Sequence, residues 1–198
     1  IIAELIKAKN GRTVVKGKSM VSEETCLNDY LEERDIECLE SDMGEYIVQL
    51  AKEHPSHIIM PALHQNKEQI ADLFDKNIDE FQRTTDVDRL IQEGRRVLRD
   101  KFFQADVGIT GANFLIAETG SIALVTNEGN ADLCATLPRK HIAVTGIEKI
   151  IPTLDDLALF WRVLPRSATG QDTANYLSLY SGPRREGDAD GPESFDIV

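Results

Sequence analysis

The sequence predicts an α/β fold of three layers: a mainly parallel sheet, helices on both of its faces, and one antiparallel hairpin. Three observations predict it. Short apolar runs alternate with stretches of helical period, the pattern of βαβ units. Several of those runs are apolar on successive residues, as strands buried on both faces require. The length of 198 residues, 41% of them hydrophobic, suits one α/β domain, alone or with a small appendage.

Each element has a local reason. Ile1 to Lys9 is amphipathic and helical, and Asn10-Gly11 ends it before a short strand at Arg12 to Lys16. Ser22 is read as the cap of a helix running to about Arg34, with acids in its first turn where the helix dipole favours them. Ile36 to Leu39 is a strand, Gly44 to Glu53 a helix stopped before Pro55, and His57 to Met60 a buried strand ending at Pro61. Lys67 to Lys76 and Asp88 to Gln104 are helical, the second with a basic outer face of Arg89, Arg95, Arg96, Arg99 and Lys101. A strand from Asp106 to Thr110 follows. His141 to Thr145 is a later strand, Leu154 to about Leu164 a helix, and Tyr176 to Tyr180 a final strand.

The richest stretch lies between these, from Gly108 to Asn130. Phe114 to Ala117 and Ser121 to Thr126 read as buried strands around the acidic turn Glu118-Thr119-Gly120, with polar, glycine-rich turns at both ends. Polar residues at the tips of core strands are common material for a site. Glu118 is the candidate base or nucleophile, since a carboxylate pressed between buried strands has its pKa raised; a solvated turn acid is the alternative. Asn113, Thr119, Gly120, Ser121, Asn127, Glu128, Gly129 and Asn130 are candidate ligand contacts around one cleft at the strand ends. Arg139 and Lys140, which precede a buried strand, and Arg166, which follows Pro165, are candidate anchors for a carboxylate. His64 is the one histidine retained as a site candidate, since His54 and His57 show no metal spacing with nearby acids. Lys16-Gly-Lys-Ser-Met20 lacks the upstream glycine of a phosphate loop, and a nucleotide P-loop is rejected.

Composition excludes whole classes of function. A formal net charge of −12 argues against broad nucleic-acid binding, which needs a basic footprint. Between Glu23 and Glu53 stand eleven Asp or Glu against Arg34 and Lys52; this reads as a solvated helical face, with a docking patch as the alternative. No segment approaches a membrane-spanning length. The first ten residues are too short and too charged for a signal peptide, and the first residue is not Met, so the chain reads as part of a longer cytoplasmic protein. Cys26, Cys38 and Cys134 have no CxxC spacing and supply no local zinc or iron–sulfur ligand set; reduced thiols are the simplest account, and no metal ligand is assigned.

Many ordered segments together carry a resemblance. Lys16-Gly-Lys-Ser-Met-Val-Ser-Glu-Glu24, Gly44-Glu-Tyr-Ile-Val-Gln-Leu50, Pro55-Ser-His-Ile-Ile-Met-Pro-Ala62, Ala117-Glu-Thr-Gly-Ser121, Thr126-Asn-Glu-Gly-Asn130 and Leu164-Pro-Arg-Ser-Ala-Thr-Gly170 resemble the lactate-utilisation (LUD) family, in particular its B subunit. The match covers nearly the whole chain, with departures at Gly17 and Cys26. The resemblance implies a fold similar to coenzyme A transferases, ribose-phosphate-type isomerases and methenyltetrahydrofolate synthetases. It implies a subunit of an iron–sulfur complex that oxidises L-lactate to pyruvate, with the other subunits of that complex as partners. It also implies 4Fe–4S clusters in a ferredoxin-like C-terminal part outside this chain, with no cofactor within it. The expected organisation is a LUD-type domain over 1–181, with N-terminal βα units over 1–85 and a core with the site hairpin over 86–181. An acidic linker toward the iron–sulfur region is expected over 182–198. Transferases of the similar fold use a glutamate at a comparable strand end, so a stand-alone acyl or coenzyme A transferase using Glu118 is an alternative, and a non-catalytic scaffold is another. From the cysteine spacing, the 198-residue chain is expected to purify colourless and iron-free. Stoichiometric iron with a broad visible absorbance would overturn that argument.

Overall fold

The computed structural model of the chain describes residues 1–56, 60–126, 128–174 and 176–198. The strand expected at His57 to Met60 falls largely on 57–59, outside the described residues. In chain order, α1 (Ile2–Lys7) leads to β1 (Thr13–Lys16), then to α2 (Met20–Glu24), α3 (Leu27–Glu32) and β2 (Glu37–Glu40). Helices α4 (Met43–Ala51), α5 (Lys67–Asn77) and α6 (Val87–Gln104) precede β3 (Val107–Thr110). The hairpin β4 (Phe114–Ile116) and β5 (Ser121–Val125) is followed by α7 (Asn130–Thr136) and β6 (Lys140–Ala143). A 3-10 turn, β7 (Ile150–Ile151), α8 (Leu154–Thr169), β8 (Leu177–Tyr180) and β9 (Ser194–Ile197) complete the described elements.

The helix starts are set by side-chain caps. Asp42 accepts from the Glu45 N–H at 3.1 Å, and Asn66 with Gln69, like Thr153 with Asp156, closes a reciprocal capping box. The first crossover departs from the sequence reading. Ser19, not Ser22, caps α2, because Ser22 already lies in the first turn, where its Oγ donates to the Ser19 carbonyl at 2.7 Å. The expected single helix is two, since Cys26 adopts a left-handed φ of 48° between them. At the other end of the chain, α8 runs through Pro165 to Thr169 rather than stopping near Leu164, and Gly170 ends it at φ 74°.

Five strands form an all-parallel sheet in the order β2-β1-β3-β6-β9. The chain moves from β1 outward to β2, then crosses back over β1 to β3, so the winding reverses beside β1. Alternation along β1 divides the core. Val14 packs with Ile6, Leu31, Ile109 and Ile142 beneath α1 and α3, while Val15 packs with Tyr46, Phe74, Leu98 and Cys134 beneath α4 to α7. Helices therefore cover both faces, as expected. The hairpin, however, belongs to a second, four-stranded mixed sheet ordered β7-β4-β5-β8, on which α8 packs through Leu157 and the stacked Phe160–Phe114 pair. Of β4 only Ile116 is fully buried, so the expected full burial of that strand does not hold.

Residues 182–198, expected as a linker, contain a strand: β9 pairs with β6 from Lys140↔Ser194 to Ala143↔Ile197. Val198 continues the pairing, donating to Ala143 and accepting from Thr145, each at 2.9 Å. The acidic composition of the segment conceals the alternating Phe195 and Ile197.

α7 presses onto β3 so closely that a Cβ on Gly108 would lie 1.7 Å from the Cys134 carbonyl oxygen. Only glycine fits there without moving backbone. Gly108→Ala is accordingly expected to cost about 3 kcal/mol or more, read as a lowered urea midpoint at unchanged m. An unchanged midpoint would mean that α7 is not seated on β3.

Candidate ligand site at the carboxyl end of the parallel sheet

The carboxyl ends of β1, β2 and β3 come together at the reversal point, where ligands of doubly wound sheets gather. The loops leaving them are tied together. Gly17 N–H donates to the Ile109 carbonyl at 2.8 Å, and both the N–H and the Oγ of Ser41 donate to the Lys16 carbonyl, at 2.9 and 2.8 Å. Ser19 packs against Gly111, whose Cβ would stand 3.1 Å from the serine Oγ. The Asn130 Nδ2 of α7 donates to Ser41 Oγ at 3.4 Å, and its Oδ1 accepts from Thr126 at 3.2 Å.

Beneath these loops Lys16 is fully buried, at 0% exposure. Its Nζ lies 2.8 Å from Glu40 Oε1 and 3.1 Å from Glu23 Oε1, and donates to Ser22 Oγ at 3.0 Å. Burial opposes both buried charges. For Lys16 the attraction of Glu40 and Glu23 wins, and the ammonium is held above its ordinary range. Glu40 remains raised by burial, because one cation answers two carboxylates. Its Oε1 also accepts from Asn28 at 2.6 Å, while Oε2 has no partner among the described residues.

Lys18 and Glu45 sit nearer the surface of the same site. Lys18 Nζ is 3.7 Å from Glu45 Oε1, with the lysine side chain 28% exposed and the glutamate side chain 6%. Burial, and next the nearby Glu40, push the Glu45 carboxyl up to about 7. Among the described residues, none donates a hydrogen bond to that carboxyl. Glu128 accepts from the Met43 backbone N–H and is also raised, by partial burial and then by Asp42. The site thus pairs one partly accessible cation with a carboxyl that titrates near neutrality, the combination that general acid–base chemistry uses.

The predicted residues do not share one cleft. The ladder from Phe114↔Ala123 to Ile116↔Ser121 puts Glu118, Thr119, Gly120 and Ser121 at the hairpin tip, away from Asn113, Glu128, Gly129 and Asn130 at its other end. Glu118 is exposed, and its Oε2 accepts from the Leu154 N–H at 3.2 Å, helping to cap α8. Ser121 Oγ meets Thr119 Oγ1 at 2.8 Å and Ser181 Oγ at 2.7 Å. Asn113 Oδ1 accepts from Val125 N–H at 2.8 Å and braces the hairpin. Asn127 lies outside the described residues, and Gly129 starts α7 at φ 71°.

The basic candidates lie elsewhere too. Arg139 and Lys140 stand at the amino end of β6, the opposite end of the parallel strands, where Glu193 at 3.1 Å and Asp196 at 2.8 Å answer their charges. Arg166 projects from α8 to Asp172 at 2.6 Å. His64 is exposed, with Nε2 2.6 Å from Glu53 Oε2, and its hydrogen bond holds the Glu53 carboxyl below its ordinary range. What sequence reading missed is Lys16, Lys18, Glu40 and Glu45. The available signal was a lysine, and then a glutamate, as the last residue of each of two adjacent core strands. Glu40 and Glu45 also correct the reading of the acidic run as a solvated face, since both are buried.

The cysteines do not converge. Buried Cys38 donates to Asn28 Oδ1 and buried Cys134 to Ser41 Oγ, while Cys26 is exposed. Burial raises both buried thiols, Cys134 to about 12. Among the described residues no group of three or more His, Cys, Asp or Glu is placed to hold a metal ion, and no helix is long and apolar enough to cross a membrane. An iron–sulfur cluster does not fit these residues.

Fold and site define a doubly wound α/β domain with an appended mixed sheet. The chain belongs to the LUD domain family, whose model matches residues 1–198. It is 48% identical over 198 residues to "Lactate utilization protein B" of Bacillus subtilis (strain 168), covering 100% of this chain and 41% of that one. Proteins of the same name are 50% identical in Shouchella clausii (strain KSM-K16), over 42% of that chain, and 49% identical in Lysinibacillus sphaericus (strain C3-41), over 41%, each spanning all of this one. The chain therefore spans about two fifths of the length of these relatives. A crystal structure of a DUF162 family protein from Deinococcus radiodurans is 24% identical, with a TM-score of 0.37 over 50% of this chain and 56% of that one.

Glu45 makes stability depend on pH. Its folded value is raised from 4.5 to about 7, so its contribution is complete below the unfolded value and is lost as pH rises through about 7. Glu45→Gln, which never ionises, is expected to gain on the order of 3 kcal/mol relative to the parent between pH 4.5 and 8.5, measured by urea unfolding at both pH values. An equal difference at the two would show that Glu45 titrates normally.

Proposed function

We propose that this chain is the LUD portion of a lactate-utilisation protein and serves a complex that oxidises L-lactate to pyruvate. The observation that carries the reading is collinear identity of 48% over all 198 residues with a lactate utilization protein B. The site supports it. Lys18 offers a cation to a carboxylate, and Glu45 offers a group that exchanges a proton near neutral pH. Oxidation of a secondary alcohol releases two electrons, and in this reading iron–sulfur clusters outside these 198 residues carry them. The domain binds and orients the small acid and docks the other subunits.

An acyl- or coenzyme A-transferase role for Glu118 receives no support from its surroundings: an exposed carboxylate engaged in capping a helix is not an activated nucleophile. The test is a chimera in which this chain replaces the matching residues of the Bacillus subtilis protein in a strain lacking its own copy. Growth on L-lactate as sole carbon source is expected. Failure to grow, with the chimera present at parental level, would overturn the proposal.

A further inference from the structure

We propose that Lys18 and Glu45 form a subsite for a short 2-hydroxy or 2-oxo monocarboxylate, Lys18 taking the carboxylate and Glu45 the oxygen on C2. The inference deepens the lactate-utilisation reading and rests on it for the choice of probes, while the geometry argues for the chemistry independently. A carboxyl with its side chain 94% removed from solvent ordinarily has hydrogen-bond partners. Glu45 has none among the described residues, only Lys18 at 3.7 Å. Glu40, close enough to act on Glu45 electrostatically, has a buried Oε2 without a partner among the described residues. A carboxyl with no donor among the described residues, facing a partly exposed lysine across 3.7 Å, leaves room for a polar ligand between the two.

The surrounding charges narrow the class. Lys16 is already engaged by Glu40 and Glu23, so an anion would be met by Lys18, whose present neighbours are Glu45 at 3.7 Å and, more distantly, Glu128. Glu45 is faced by Lys18 from the loop after β1, Glu23 from α2, Glu40 from the end of β2 and Asp42 from the cap of α4. A ligand with a second carboxylate would meet that acidic rim. A monocarboxylate without a C2 oxygen would offer Glu45 no new hydrogen-bond partner. Oxygens on adjacent carbons, one set charged and one able to exchange hydrogen bonds, match a cation and a protonatable acid standing side by side.

Binding should also take up a proton. An anion placed on Lys18 removes the cation's help from Glu45 and adds a negative neighbour, so the protonated carboxyl is favoured; it then donates to a keto oxygen or exchanges hydrogen bonds with a hydroxyl. Affinity therefore falls as pH rises past neutrality, by up to about tenfold per unit.

Calorimetric titration of the 198-residue chain with L-lactate, pyruvate, acetate and malate, at pH 6 to 8 in two buffers of different ionisation enthalpy, tests this. Lactate and pyruvate are expected to bind with proton uptake, and acetate and malate at least about tenfold more weakly, the loss of one hydrogen bond to a charged group. Lys18→Met should weaken lactate by about ten- to a hundredfold. Glu45→Gln should still bind it but without proton uptake. Absent binding, equal affinity for acetate or malate, or unchanged proton uptake in Glu45→Gln would overturn the subsite. Growth of the chimera together with absent binding would sink the subsite alone. Binding together with failed growth would sink the lactate-utilisation reading instead.

Discussion

The buried Lys16 ammonium is the constraint around which the rest of the molecule is arranged. A fully buried cation is tolerated only where opposite charge and hydrogen-bond acceptors are held in place around it. Here they come from α2 through Ser22 and Glu23, and from β2 through Glu40. Their demands fix the register of β1 against β2 at Lys16↔Glu40 and bring α2 back over the sheet immediately after the strand. Removing either charge would leave its partner uncompensated in the interior, a loss of about 3–5 kcal/mol. The loops leaving these strands are thereby fastened to one another, and Ser41 bonded to the Lys16 carbonyl is part of the same fastening.

A second polar junction ties the two sheets together. His141 Nε2 lies 2.8 Å from Thr110 Oγ1, and its ring stacks on Phe195 and meets the edge of Tyr180. Burial pulls the imidazole down to about 4, so it stays neutral. Tyr180 of the mixed sheet donates to Asp132 of α7, which is itself pressed onto Gly108 of the parallel sheet. The mixed sheet is therefore anchored through α7 and His141 of β6 rather than by strand pairing with the parallel sheet. The C-terminal strand covers the other face of that imidazole through Phe195, a structural task that its acidic context hides.

Glu45 shows the tension between stability and use. A carboxyl that is buried, without a hydrogen-bond donor among the described residues and close to other acids weakens the fold at neutral pH, and a glutamine there would serve stability better. Groups of this kind are retained where a poised proton is needed. The hairpin tip is the opposite case. Glu118, Thr119 and Ser121 bond to their own neighbours and to the start of α8, so their polarity is spent on structure.

Much of the layout was legible from local rules. Apolar runs such as Val107 to Thr110 identified parallel strands, and helical period identified α5 and α6, because these signals depend only on neighbours in sequence. Element ends were less legible: Ser22 is as good a cap as Ser19 until the strand end beside it is placed. The site depended on contacts across the sheet. Glu40 and Glu45 read as part of a solvated acidic face; the parallel pairing of β1 with β2 makes Glu40 the buried partner of Lys16, and the packing of α4 buries Glu45. In the same way Arg139 and Lys140 are near a strand end in sequence, but strand direction decides which end. The sequence by itself determined the α/β class, the alternation of elements and the absence of a local cysteine ligand set, since all three follow from periodicity and spacing. Tertiary structure alone decided which charges are buried together, which hairpin end lies toward the site and that the last residues form a strand, because burial and its effect on charge belong to residues brought together from distant parts of the chain.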